Sequence, residues 1–156
     1  MFQVMALDKT DFSHLDGLGD EALKAMGVVP VIADACPAYP CRVSLDFAPV
    51  GERVFLLNYT HHKAETPFRS NYAIYVRECV QTLELEPGEL PPVFQRRSPI
   101  AVRAFDKTGM LRSAEIVEGP DAGEVFNRLL DQDHIAYLHA HYAAYGCYAA
   151  EVVRAP

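Results

Sequence analysis

The ten residues 53–62, RVFLLNYTHH, constrain the fold more than any other stretch of the chain. Side chains alternate sides along a strand, so Phe55, Leu57 and Tyr59 share one face while Val54 and Leu56 share the other. Apolar residues on both faces predict a strand covered on both sides, at the centre of a sheet. Shorter apolar runs predict further strands at 2–7, 28–33, 42–47 and 72–79. Pro30 cannot donate to a ladder, which confines 28–33 to an edge. Residues 100–105 and 110–117 flank DKTG, where Gly109 suits a hairpin turn. Residues 134–142 and 147–153 read as a closing hairpin.

Helical patterns are fewer. Residues 20–26 form one, with Asp20 and Glu21 at its positive end and Gly27 just past it. A second follows Gly119–Pro120, with Asp121 and Glu124 at capping-box spacing and an apolar stripe of Val125, Phe126, Leu129 and Leu130. The segment holding Pro87, Pro91 and Pro92 reads as a loop. Strands outnumber helices and few strand–helix–strand units occur. The expected fold is therefore α+β: a single domain over residues 1–156, mostly antiparallel sheet with two short helices.

The chain has 156 residues, enough for one self-sufficient core. Fourteen Lys and Arg against twenty-one Asp and Glu give a net charge of −7. Nucleic-acid binding depends on clustered cations, and the only adjacent basic pair is Arg96–Arg97, so no nucleic-acid partner is expected. No run approaches the ~20 apolar residues of a membrane helix. The opening MFQVMALDKTDF lacks the profile of a signal peptide. A soluble cytoplasmic protein is expected, its four cysteines reduced.

Candidate chemistry concentrates in a few places. In YLHAHY, Tyr137, His139 and His141 share one strand face, two imidazoles together. The pair lacks a third ligand at a recognisable spacing, so neither a metal nor another cofactor is expected. His61 and His62 are adjacent and should face opposite ways, leaving one of them for any common pocket. Arg42 beside Cys41 favours a thiolate, which makes Cys41 a candidate accessible nucleophile. Cys147 opens the last strand six residues after His141, and Cys79 reads as a packing residue. Arg77 and Arg103 lie inside apolar strand runs, where a guanidinium must be paired with a carboxylate or held for an anion.

The segments Pro40-Cys41-Arg42-Val43-Ser44-Leu45, Gly51-Glu52-Arg53 and Gly146-Cys147-Tyr148 resemble an uncharacterised bacterial family, the domain of unknown function numbered 1203. Thr66-Pro67-Phe68-Arg69, Ile74-Tyr75-Val76-Arg77 and Arg103-Ala104-Phe105-Asp106 extend the likeness over nearly the whole chain. Tyr72-Ala73 stands where the family pattern has Gly-Pro, and Tyr142 where it has Asn. The resemblance implies no activity, cofactor or catalytic residue. The reading that follows is a small-molecule pocket with catalytic capacity: Cys41, His141 and Cys147 as the reacting groups, Arg42, Arg103, His139 and His61 as ligand contacts, and a small anion as the ligand. The rival reading is a non-catalytic domain whose exposed sheet or tyrosines meet a protein partner. Neither reading specifies an oligomeric state.

Overall fold

The strongest strand of the sequence does sit at the centre of a sheet, but of the smaller of two. The computed structural model describes residues 1–96 and 99–156, so Arg97 of the basic pair lies outside the described residues. Strand β1 (Phe2–Met5) is followed by α1 (Asp20–Ala25), β2 (Val29–Ile32), β3 (Arg53–His62) and β4 (Ser70–Arg77). Then come α2 (Pro92–Arg96), β5 (Ile100–Phe105), β6 (Leu111–Val117), α3 (Ala122–Leu130), β7 (Tyr137–Tyr142) and β8 (Tyr148–Arg154). One sheet runs β1-β8-β7-β5-β6 and the other β2-β3-β4, every ladder antiparallel. The fold is α+β, dominated by sheet.

The main core lies between one face of the five-stranded sheet and α3. Phe2, Val4, Val102, Leu138 and Val152 meet Phe126, Leu129 and Leu130 there. Burying each such side chain is worth ~1.5–3 kcal/mol, which fixes this face and leaves the opposite one for other work. Because the period is two, that opposite face carries Tyr137, His139 and His141.

Several elements depart from the sequence expectation. Residues 42–47 are a tight turn and not a strand. Leu45 adopts φ +49°, Cys41 N–H donates to Asp46 O at 2.9 Å, and the Ser44 hydroxyl bonds the Asp46 carboxylate. A left-handed residue cannot continue a strand, and Arg77 pins the turn by reaching Asp46 at 3.0 Å. A third helix, α2, begins at Pro92, where a proline ring pre-sets helical φ; it buries Val93 and Phe94. It presses so closely on the turn before α3 that a Cβ at Gly119 would lie 1.6 Å from Phe94 O. Asp121 makes no capping bond, because it already has helical backbone angles at the end of a 3-10 turn. Within β3, Val54 and Phe55 are buried but Leu56 and Leu57 only half-buried. Tyr72–Ala73 lies inside β4, so no turn forms there. Among the described residues, no helix is long and apolar enough to cross a membrane.

Candidate functional site

The end of β3 crosses the free face of the five-stranded sheet, and histidines from both sheets meet there. The register of β3 with β4 steps from Thr60–Asn71 to His62–Ser70, leaving His61 as the extra residue of a bulge. A bulge re-aims side chains. Both histidines consequently turn toward β7: the His61 and His62 rings lie 5.9 and 5.3 Å from the His139 ring. The expectation that only one of them could join a common site is thereby corrected.

His61, His139 and His141 form the nest. One ring nitrogen of each lies within 4.8 Å of those of the other two. His139 is 2% exposed and His141 0%, so the strand face is not solvated. His141 donates from Nδ1 to Gly146 O at 3.0 Å, which fixes its tautomer and leaves Nε2 with a lone pair. His139 donates from Nε2 to Glu151 Oε2 at 3.3 Å and leaves Nδ1 bare. His61 Nδ1, His139 Nδ1 and His141 Nε2 are buried with no hydrogen-bond partner among the described residues. Native interiors rarely leave such atoms unsatisfied. His62 differs, because Nδ1 donates to Phe68 O and Nε2 accepts from Tyr137 OH, both at 2.8 Å.

The electrostatics keep the nest uncharged. Burial, with smaller help from His139, Arg103 and His62, brings the His61 pKa down to about 4. Burial and then Arg103 bring His141 down to about 3. Burial also lowers His139, against the pull of Glu151. Neutral imidazoles are the form that binds metal ions.

A cleft of about 310 Å³ opens beside the nest. His61, His62 and Tyr59 of β3 form one wall. Tyr137 and His139 of β7, with Tyr148 and Glu151 of β8, form the other. The His61 and Tyr148 rings stack at 5.2 Å. His141 and Arg103 are not on these walls. Arg103 stands on the same sheet face, directly across from His139.

Residues 38–154 match the family described as Protein of unknown function (DUF1203). The chain belongs to this family. No curated protein and no solved structure matches it. The matched span contains the whole nest, and two of the motif segments brace it. Arg42 Nε donates to Tyr148 O at 2.8 Å, tying the PCRVSL turn to the strand whose tyrosine stacks on His61. Gly146, at φ +75°, presents the carbonyl that orients His141.

The other candidates disperse. Cys41 is fully buried, and its Sγ accepts from the N–H groups of Val43 and Arg77 at 3.4 Å; it is a packing residue, not an accessible thiol. Cys147 is half-buried and faces a different cavity of about 490 Å³, beside Arg42, Tyr75 and Tyr145. No hydrogen bond joins either thiol to His141 among the described residues. Cys79 is exposed at φ +55° past the end of β4, contrary to the expected packing role. Arg77 pairs with Glu52 at 2.6 Å, as one of its two readings had it. Glu151 escaped the sequence reading altogether. Its signal was a lone carboxylate within the apolar run YAAEVV.

Proposed function

We propose that the cleft is a metal-dependent small-molecule site in which His61, His139 and His141 are the protein ligands of one divalent transition-metal ion. The observation that carries this reading is the convergence of three imidazoles from two separate sheets, each with a ring nitrogen within 4.8 Å of the other two and each with a buried nitrogen that has no partner among the described residues. Catalytic zinc centres have three protein ligands and one open position, whereas structural centres are closed by four. The partners behind His139 and His141, a carboxylate and a backbone carbonyl, are the outer-shell kind that orients metal ligands. Three atoms no more than 4.8 Å apart share a point within about 2.8 Å of each, so small ring movements reach the ~2.0–2.1 Å of a Zn–N bond. Imidazole donors suit Zn²⁺, Ni²⁺ and Cu²⁺. Such an ion supplies a Lewis acid and lowers the pKa of bound water to ~7. The tyrosines of the cleft give a small substrate aromatic walls, and Glu151 holds the His139 ring in place.

Chelator-stripped protein without a histidine tag, titrated with Co²⁺, is expected to take up one equivalent with a visible absorption band. His61→Asn is expected to weaken this at least ~10-fold while the fold persists, because His61 is only half-buried and is the extra residue of a bulge. A wild-type protein with no saturable uptake of Co²⁺ or Zn²⁺ overturns the proposal.

A further inference from the structure

Among the described residues, Arg103 is the arginine without a partner. Arg53, Arg69, Arg77, Arg112 and Arg128 each hold a carboxylate. Arg42 and Arg154 donate to backbone carbonyls, and Arg96 lies over the Phe47 ring. Arg103, half-buried on β5, has no hydrogen bond, ion pair or ring contact among the described residues. A guanidinium carries five donors, and partial burial removes some of the water that would otherwise satisfy them.

Its position is set by the register. Met5, Glu151, His139, Arg103 and Ala114 form one row straight across the five strands, all on the free face. Directly opposite residues in an antiparallel pair have Cβ atoms ~4.5–5.5 Å apart. Glu151 thus flanks His139 on one side and Arg103 on the other. Arg103 lies close enough for its charge to depress all three imidazoles of the nest. The sheet beyond it is open: Ala114 is exposed and Ile116, in the next row, is 72% exposed. A ligand therefore has an approach on this flank as well as through the cleft.

Charge decides what that ligand is. A divalent ion on three neutral imidazoles keeps both its charges, Arg103 adds one and Glu151 removes one. Lys63, on the cleft wall with its ammonium over the Tyr59 ring, adds a further cation. Among the described residues, no second carboxylate lines the cleft. Resting on the metal reading above, we infer that the substrate is a small oxyanion, a carboxylate or a phosphate, with one oxygen on the metal and others in the fork of Arg103. The planar fork matches both anions in a bidentate way that a lysine cannot reproduce.

The test uses the Co²⁺-loaded protein, with inorganic phosphate and oxalate as separate probes. Each is read by the visible band and by calorimetry. At least one probe is expected to bind saturably and shift the band, and comparing the two arms tells phosphate from carboxylate. Arg103→Gln is expected to weaken that binding ~10-fold or more and Arg103→Lys by less, with Co²⁺ stoichiometry unchanged in both. Retained anion affinity in Arg103→Gln, equal affinity in the metal-free protein, or no response to either probe overturns the inference while the cobalt band leaves the metal site standing. A wild-type protein that takes up no cobalt overturns both.

Discussion

Arg42 is 1% exposed, and its charge is held by backbone and ring groups. It donates to Tyr148 O and Pro40 O, and its guanidinium carbon lies 5.2 Å from the Tyr142 ring centre. Truncation removes those donors, leaves two buried carbonyls short of partners and opens a void. Arg42→Ala is therefore expected to destabilise the fold by ~2–4 kcal/mol. Arg103 has no partner to lose among the described residues, and Arg103→Gln is expected to stay within ~0.5 kcal/mol of the wild type. Urea unfolding of the two variants measures the contrast. Equal losses would mean that Arg103 is structural, and its role toward an anion would fall. In the sequence Arg42 stands out as the cation beside Cys41 and Arg103 as a cation inside an apolar strand run, but only the register and the contacts separate a strut from a free fork.

At the scale of elements, the β5–β6 hairpin turns on Asp106. Its carboxylate accepts from Thr108 Oγ1 at 2.6 Å, Thr108 N at 2.8 Å, Met110 N at 3.2 Å and Arg112 Nε at 2.7 Å. The Thr108 hydroxyl first, then Arg112 and the two amides, hold its pKa well below the usual carboxylate range, against the effect of burial. A depressed carboxylate contributes stability that is present above the unfolded value of ~3.9 and lost as pH falls through the folded value. Asp106→Asn is thus expected to lower the unfolding midpoint at pH 7, and the gap to the wild type should narrow below pH 4. A gap independent of pH would show that the carboxylate's charge contributes nothing. Elements of this kind, hairpins with a glycine at the turn and strands of alternating pattern, were legible from composition and period alone. The 42–47 turn was not, since RVSLDF alternates like a strand and the turn with its left-handed Leu45 is pinned from outside by Arg77, which reaches Asp46. Helix α2 was hidden by the prolines that start it.

Across the whole molecule, no strand of one sheet pairs with a strand of the other among the described residues. The sheets meet through side chains at the nest and through Arg42, which bridges the turn beside β4 to β8. That geometry explains how much of the site the sequence disclosed. His139 and His141 were visible as a pair because their relation is local, two residues apart on one strand. The third nitrogen comes from a bulge in the other sheet, about eighty residues away, and no spacing rule reaches it. The same distance makes metal binding a test of the assembly. His61 belongs to the three-stranded sheet and the other two ligands to the five-stranded one, so an ion held by all three crosslinks the sheets. The unfolded chain does not keep those nitrogens together, and an ion that favours the native state stabilises it by mass action. At free Zn²⁺ near 100 times the dissociation constant this amounts to ~2.7 kcal/mol. For a chain of this size the expected rise in melting temperature is roughly 5–10 °C. Thermal unfolding with Zn²⁺ against chelator measures it, and His61→Asn should abolish most of the rise. A rise that survives this substitution would place the ion elsewhere, on the exposed cysteines Cys36 or Cys79 for example. A rise lost with His61 but kept in Arg103→Gln would tie the stabilisation to the junction of the two sheets.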